Sequence, residues 1–454
     1  MQTPIADFVA QYAAASPIRL HMPGHKGLGD AALDITEVTG ADSLYEASGI
    51  IKESEDNATA LFGAPTFYST EGSSLCIRAM LYLVALHARS RGHRPRILAG
   101  RNVHKSFVSA VALLDIAVSW LYPRAEEAYL SWTVTPSELR ARFLAEGAPD
   151  ALYLTTPDYL GHRLPLREIA AVCHAAGVLL LVDNAHGAYL RFLPTSRHPI
   201  DEGADLCCDS AHKTLPALTG AAYLHIAPHA PAEMTAGART ALSLFGSTSP
   251  SYLILASLDR LNRYLADGYR EALAAFVPRM AALKARLTRH GYCLLGDEPL
   301  KLTIAPRAYG YTGEELSEIL SLRGIVCELA DPDHLVCMMT PDVTEAELSL
   351  LLSILLSLPR RPSLAPLGVP FAPPAVRMSP REAILQPSEL LPSDACLGRV
   401  LAAVTVACPP AVPLLVSGEV VDERALSLFS YYGIRSLRVV RECEPDRKEE
   451  KNEA

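Results

Sequence analysis

Between residues 46 and 265, short apolar runs alternate with longer amphipathic runs. The apolar runs have no polar face, which is typical of strands in a parallel sheet that helices cover on both sides. This alternation predicts a doubly wound α/β domain. The clearest predicted elements are a helix over 73–91, strands over 96–99 and 151–156, a helix over 166–176 that ends at Gly177, and strands over 178–182 and 204–208.

The rest of the pattern divides the chain further. Residues 251–290 are predicted to form a long helical connection. Beyond it, an α+β pattern has strands over 301–304, 325–328 and 334–338 and helices that begin at Thr312 and Thr344. The predicted parts are an N-terminal arm with one short helix (1–45), a large domain (46–265), a small α+β domain (266–358), a Pro-rich linker (359–375) and a C-terminal domain (376–454).

Composition narrows the class of protein. The 454 residues are 50% hydrophobic, which supports several buried cores, and the formal net charge of −9 disfavours nucleic acid and anionic membranes as partners. The ten cysteines show no metal-site spacing, so we expect no metal and buried thiols in a reducing compartment. Residues 1–20 lack the basic and long apolar regions of a signal peptide, and no apolar run reaches about 18 residues, so we expect neither a signal peptide nor a membrane span. The prediction is a cytoplasmic protein.

Two side chains of opposite charge follow neighbouring strand patterns. The run over 178–182 ends in Asp183, and the run over 204–208 leads into the segment that contains Lys213. Ligands of open α/β sheets bind beyond the carboxyl ends of the strands. We therefore expect Asp183 and Lys213 to face one cleft.

A carboxylate and a lysine in one cleft fit the needs of pyridoxal 5′-phosphate. The carboxylate keeps the ring nitrogen of this cofactor protonated, which maintains its capacity to accept electrons. A desolvated lysine has a lowered pKa, so its amine can form a Schiff base with the cofactor and later act as an acid or base. The sequence thus predicts pyridoxal phosphate as the cofactor, bound by Lys213.

Local sequence alone does not single out Lys213, because Lys26 and Lys105 also follow a histidine. An aspartate after a strand is by itself more often a turn or capping residue. Only Lys213 comes one strand after the strand that carries Asp183, and this order decides the assignment.

A phosphate site and a ring-stacking residue complete the predicted constellation. The segment from Ser69 to Ser74 opens a helix and offers hydroxyls and backbone N–H groups, while Gly72 allows close approach to the backbone. The ring of His104 is a candidate to stack on the cofactor. Without the carboxylate and lysine, a simple helix cap and a loop histidine would be the better interpretations.

Together these segments resemble the ornithine/lysine/arginine decarboxylases of the aspartate-aminotransferase fold, in particular the short bacterial form. The resemblance covers nearly the whole chain and rests most on the lysine motif at 210–219 and on His-Met-Pro-Gly-His-Lys at 21–26. Further matching segments are 34–37, 42–44, 49–51, 69–74, 101–106, 183–187, 247–252, 255–259, 398–399, 408–410, 413 and 418–419.

The resemblance implies a fold type I enzyme with a mixed, mostly parallel sheet, a small α+β domain and a C-terminal domain. It also implies a homodimer with sites at its interface, and decarboxylation of arginine first, then lysine or ornithine, to an amine and CO2. The expected catalytic residues are Lys213, His212, His104 and Asp183. The expected cofactor contacts are Thr70, Gly72, Ser73, Ser74, His104, Asp183, His186, Ser210, His212 and Lys213, with Ser247 and Thr248 reaching the phosphate of the other subunit.

Some positions depart from the family pattern. Glu71 replaces the usual Asn of the phosphate loop and is expected to point away from the phosphate. Gly220 replaces a Gln. Ala403 replaces the acidic or amide residue that would suit a distal cation of the substrate, and Cys408-Pro-Pro-Ala411 replaces Tyr-Pro-Pro-Gly. These departures leave the substrate open.

Two other functions stay open at this point. One is a different pyridoxal-phosphate reaction, an aminotransferase or a lyase, on the same scaffold. The sequence identifies no arginine for a substrate carboxylate. The other is a catalytically inactive relative, which the retention of Asp183, Lys213 and His104 argues against.

Overall fold

The structure is a computed structural model, and it describes residues 1–123, 131–365, 372–408 and 412–442. Its helices are α1 (Pro4–Ala14), α2 (Ile50–Phe62), α3 (Gly72–Ser90), α4 (Lys105–Leu114), α5 (Pro136–Glu146), α6 (Leu166–Ala175), α7 (Ala211–Thr214), α8 (Ala232–Ser243), α9 (Tyr252–Ala266), α10 (Tyr269–His290), α11 (Gly313–Ser321), α12 (Glu345–Ser357), α13 (Pro380–Leu385) and α14 (Glu423–Tyr431). Among the described helices, none is both long and apolar enough to cross a membrane.

The strands of the described residues form one large sheet and three smaller ones. They are β1 (Thr66–Ser69), β2 (Arg96–Gly100), β3 (Ala117–Leu121), β4 (Ala151–Thr155), β5 (Leu179–Asp183), β6 (Leu206–Asp209), β7 (Ala222–Ile226), β8 (Cys293–Leu295), β9 (Lys301–Ala305), β10 (Leu329–Ala330), β11 (Leu335–Met338), β12 (Ser388–Pro392), β13 (Thr405–Cys408), β14 (Val412–Val416) and β15 (Ser436–Val440).

The large sheet has the order β3-β2-β4-β5-β6-β7-β1. Its strands run parallel except β7, which is antiparallel to both of its neighbours. Strands β5 and β6 lie side by side, with Asp183 opposite Cys208. The predicted mixed, mostly parallel sheet is confirmed, and the strands that carry Asp183 and lead to Lys213 are neighbours.

Alternate side chains of the central strands enter two different cores. Leu181 of β5 packs with α3 residues such as Leu75 in one core. Leu180 and Val182 pack with α6 residues such as Ile169 in the other. Because both faces of β5 are buried under helices, every position in it is apolar until Asp183 at its end.

The second half of the chain differs from the sequence prediction in two places. The helical connection is broken into α9 and α10 at Gly268, which has φ +86°. The run 325–328 is not a strand: Val326 is 91% exposed, and the strand is β10, where Leu329 pairs with Val336 of β11. An apolar run without a partner strand stays unpaired, whatever its propensity.

The C-terminal strands dock on the large sheet through a buried ion pair. The Arg101 guanidinium lies 2.8 Å from Oε2 of Glu419, and the two side chains are 3% and 1% exposed. Arg101 also donates to the backbone oxygen of Pro413 at 2.9 Å. The four sheets fall within the predicted large, small and C-terminal ranges, while the exact domain boundaries remain predictions.

We expect Glu419→Ala to lower the free energy of unfolding by about 3 kcal/mol or more, because it leaves the buried charge of Arg101 without its partner. Urea denaturation followed by tryptophan fluorescence measures this, since Arg101 lies 5.3 Å from the ring centroid of Trp120. The control is Glu146→Ala, which removes a half-exposed pair with Arg142 and should cost less than about 1 kcal/mol. Equal losses for the two variants would contradict the docking role.

Candidate active site

A cavity of about 270 Å³ lies beyond the carboxyl ends of the parallel strands, where open α/β sheets bind ligands. It brings together most of the predicted site residues. Those that line it are Gly72, Ser73, Ser74, His104, Asp183, His186, Ser210, His212 and Lys213. The cleft predicted from the strand order is therefore present.

Asp183 is fixed at the end of β5 and is 2% exposed. Its Oδ1 accepts the backbone N–H of Ala185 at 3.1 Å, and its Oδ2 accepts the hydroxyl of Tyr153 at 3.3 Å. Burial, followed by the charge of Asp183, raises the pKa of Tyr153 well above its ordinary value. Tyr153 therefore stays protonated and holds the carboxylate in place toward the cavity.

Lys213 lies on the short helix α7 that follows β6. Its Nζ is 3.0 Å from Nε2 of His186 and 5.7 Å from the ring centroid of Tyr159. Burial lowers the pKa of Lys213, and the carboxylates of Asp183 and Glu328 oppose this shift. The amine is thus more readily deprotonated than that of a surface lysine, as a nucleophilic lysine requires.

Lys301 is a second lysine at this site, which the sequence analysis missed. It is the first residue of β9, in the four-stranded sheet, and its side chain is 3% exposed. Its Nζ lies 3.0 Å from Nδ1 of His186. The sequence signal, a lysine at the head of an apolar strand, is common at sheet edges and does not indicate a site.

His104 and His212 have one ring nitrogen each engaged by neighbouring groups. Nδ1 of His104 accepts the backbone N–H of Ser106 at 3.2 Å. Nδ1 of His212 lies 2.9 Å from the backbone oxygen of Ala221, to which it donates. Burial lowers the pKa of His104, although the charge of Asp183 opposes the shift. In both residues Nε2 is the nitrogen available to the cavity.

The start of α3 is suited to an anion. No side chain caps this helix, so the N–H groups of its first turn have no side-chain acceptor among the described residues. The Ser210 hydroxyl donates to that of Ser73 at 2.9 Å, which joins the two halves of the site. Glu71 lines the cavity, but its Oε1 accepts the backbone N–H of Ser247 at 2.6 Å. Its carboxylate is thus bound to another segment, while its position relative to a bound phosphate remains a prediction.

Gly220 has a structural reason to be glycine. Its φ is +96°, and a Cβ at this position would lie 2.8 Å from the backbone oxygen of Thr70. Its own carbonyl accepts the N–H of Gly72 at 2.8 Å. The departure from the family's Gln therefore keeps the lysine segment close to the loop that opens α3.

Not every predicted residue reaches the cavity. Thr70 is buried behind the loop, and Ser247 and Thr248 do not line the cavity of this single chain. Ala403 packs at the edge of the C-terminal core. The side chain of Cys408 and residues 409–411, including Ala411, lie outside the described part of the chain.

Further residues line the cavity but were not predicted as site residues. They are Asn102, Thr155, Pro157, Tyr159, Ala185 and Thr219. Thr155 is the last residue of β4, and the others lie in loops that follow strands or the lysine segment. The side-chain oxygens of Asn102 and Thr155 have no hydrogen-bond partner among the described residues. Buried polar atoms without a partner are costly, and at a cavity they mark a place for a ligand.

Comparison with known proteins agrees with this picture. A family model described as Orn/Lys/Arg decarboxylase, major domain, matches residues 3–295. A protein named arginine decarboxylase from Halalkalibacterium halodurans is 30% identical over 464 residues, covering 94% of this chain and 92% of that protein. Lysine decarboxylase A from Pseudomonas aeruginosa superposes with a TM-score of 0.80 at 18% identity, covering 96% of this chain and 80% of that one. A structure of SPT with PLP superposes with a TM-score of 0.53 at 16% identity, covering 68% and 75%.

The fold and the cavity define an α/β enzyme of fold type I, which confirms the predicted fold class. The chain belongs to the Orn/Lys/Arg decarboxylase family, because the family model matches well over half of it. The resemblance inferred from the motifs is thereby confirmed.

We expect Gly220→Ala to lower the free energy of unfolding by about 2 kcal/mol, because a side chain forces the strained turn away from Thr70. Gly177→Ala is the matched control: Gly177 has φ +69°, but no atom lies within 4 Å of its hypothetical Cβ. Its cost should be about 1 kcal/mol, from backbone strain alone. Urea denaturation of both variants tests the difference, and an equal loss would show that the contact with Thr70 does not matter.

Proposed function

We propose that this protein is a pyridoxal-phosphate-dependent decarboxylase of a basic amino acid, with arginine as the first candidate. The observation that carries the proposal is the placement of Lys213 and Asp183 at the ends of adjacent strands, on one cavity, beside an uncapped helix N-terminus. Membership in the decarboxylase family supports the same reading.

The residues present fit the cofactor. Lys213 supplies an amine of lowered pKa, Asp183 a fixed carboxylate for the ring nitrogen, and His104 a ring at the cavity wall. The first turn of α3, with the hydroxyls of Ser73 and Ser210, would hold the phosphate. The unpartnered oxygens at the cavity agree with a polar ligand there.

Bound pyridoxal phosphate supplies a sink for the electron pair left by a departing carboxylate. Asp183 maintains that capacity, because its buried negative charge favours a proton on the ring nitrogen. Lys213 would hold the cofactor through its amine. The Nδ1–H of His212 donates to the backbone oxygen of Ala221. Nε2 would therefore give a proton to the product carbon only from the doubly protonated ring, a role that the amine of Lys213 would share.

A cationic substrate agrees with the charges around the cavity. Glu328 is exposed, and its carboxylate opposes the lowering of the pKa of both Lys213 and Lys301, so its field reaches the cavity. Its carboxylate is a candidate partner for the distal cation of the substrate, because the methyl side chain of Ala403 cannot form an ion pair. The relative that covers nearly the whole chain at 30% identity is named arginine decarboxylase, and for this reason arginine ranks before lysine and ornithine.

Dimerisation and cytoplasmic localisation remain predictions. Exposed apolar side chains on the N-terminal arm support a second copy as a partner, because such groups are usually covered in an assembly. They are Ile18, Leu20, Met22 and Leu28, which are 69–90% exposed.

A panel of amino acids tests the function directly. We expect the purified protein to release CO2 and the matching amine from arginine, or else from lysine or ornithine. Detection of labelled CO2 together with chromatography of the amine checks this. Formation of a keto acid without CO2 would contradict the proposal and favour the aminotransferase alternative.

Lys213→Ala tests the role of Lys213 in that assay. Lys105→Ala is its matched control, since each variant removes a lysine that follows a histidine. Lys213→Ala should abolish both turnover and the near-visible absorption of the bound cofactor. Lys105→Ala, on the exposed start of α4, should retain both.

We expect Asp183→Asn to lower kcat/KM for the substrate on the order of 100-fold, because an amide does not hold the proton on the cofactor ring. Steady-state kinetics of the loaded enzyme measures this. Asp150→Asn is the control: Asp150 is also buried, but it lies at the opposite end of the sheet, where it accepts the N–H of Arg96 at 2.8 Å. A similar loss in both variants would show that Asp183 acts only through stability.

A further inference from the structure

Lys301 is a buried lysine of β9 that contacts His186, a residue of the cavity wall. Its Nζ lies 2.9 Å from the backbone oxygen of Asp158 and 3.0 Å from Nδ1 of His186. Its stem packs on Gly161, where a Cβ would come within 3.3 Å of the Lys301 Cδ. The amine of Lys301 is therefore held in one position.

His186 joins Lys301 to Lys213. Its Nδ1 is 3.0 Å from one amine and its Nε2 is 3.0 Å from the other. Burial, followed by the charges of the two lysines, lowers the pKa of His186 well below its ordinary value, so the imidazole is neutral. A neutral imidazole has one N–H and one lone pair, so one lysine must donate and the other must accept. An ammonium group has no lone pair, and the accepting lysine is therefore uncharged.

Lys301 is the better placed of the two to keep its proton. Its amine has two acceptors, the Asp158 carbonyl and His186, whereas Lys213 has His186 alone among the described residues. Burial lowers the pKa of Lys301, but the carboxylates of Glu298 and Asp158 oppose that shift. Lys301 thus donates to Nδ1, and the proton of His186 lies on Nε2.

We propose that Lys301 is a positioning residue, which fixes His186 as the Nε2–H tautomer and thereby holds the amine of Lys213 uncharged. Lys301 does not itself contact Lys213; it acts through the ring between them. The proposal rests on the proposed function, in which Lys213 is the lysine that binds the cofactor. It explains why β9 carries a buried lysine that contacts His186.

The charge state of Lys213 depends on several groups around it. Asp183 and Glu328 favour its protonated form, while burial favours the neutral one. The charge of Lys213 disfavours that of Lys301. The titratable groups that face this cluster from the surrounding elements are Asp158, Asp183, His104, Cys208, His212, Glu298 and Glu328.

The test is the pH profile of Lys213 acetylation in the full-length protein, stripped of cofactor with hydroxylamine. Acetic anhydride and mass spectrometry of the Lys213 peptide give its rate. Lys301→Met removes the donor to Nδ1 of His186, so the ring can carry its proton on Nδ1 and accept a hydrogen bond from a charged Lys213. The pKa of Lys213 should then rise and its neutral fraction at pH 7 should fall. We expect acetylation at pH 7 to fall about tenfold, for a shift of roughly one unit, and the profile to move to higher pH.

Two further variants separate positioning from packing. Lys301→Arg keeps the cation and should leave the profile closer to that of the unmodified protein. Lys284→Met removes another partly buried lysine of lowered pKa, which donates to the backbone oxygen of Glu298 and does not contact His186. It should not move the profile. Identical profiles for the unmodified protein and for folded Lys301→Met would overturn the proposal.

A measurement on the unmodified protein covers the case in which the variants do not fold. Long-range ¹H–¹⁵N spectra of histidine-labelled protein report the tautomer of His186, assigned with His186→Gln. A proton on Nε2 supports the proposal, and a proton on Nδ1 or on both nitrogens refutes it. The acetylation rate and the tautomer are both measured without bound cofactor, so a negative result in either would contradict this proposal alone. The proposed function is tested separately by the cofactor absorption of the Lys213→Ala variant.

Discussion

The parallel pairing of β5 with β6 is the constraint on which the site depends. It sets Asp183 opposite Cys208, so that the chain leaving β6 must pass beside the Asp183 carboxylate. The next residue, Asp209, is fully buried and accepts hydrogen bonds from His198 at 3.0 Å and from Asn184 at 2.7 Å. The segment that carries Lys213 therefore starts from a fixed point rather than from a free loop.

Parts of the chain that are far apart in sequence are anchored to this edge of the sheet. The C-terminal strands are bound through the buried ion pair of Glu419 with Arg101. Arg101 lies three residues before His104 in the chain. The small domain contributes Lys301 through the ring of His186. Two regions that are distant in sequence thus pack beside the elements that carry the site residues.

The sequence predicted the features that depend on strand order and failed where tertiary contact decides. Asp183, Lys213 and the start of α3 follow apolar strands or open a helix, so their positions were predictable from periodicity. Lys301 could not be found in this way, because only the fold brings β9 to His186. The strand predicted over 325–328 was wrong for a related reason: local propensity does not provide a partner strand, and Val326 remains exposed. The need for glycine at position 220 was likewise not predictable, because it depends on the contact with Thr70, which only the fold brings about.

The uncapped N-terminus of α3 also ties folding to ligand supply. A helix end without a side-chain cap carries N–H groups whose best acceptor comes from outside the chain. Any anion that binds there only in the folded state adds RT ln(1 + [L]/Kd) to the free energy of unfolding, about 2.7 kcal/mol at a ligand concentration 100 times Kd. The folded state would therefore gain part of its stability from that ligand and not from the chain alone.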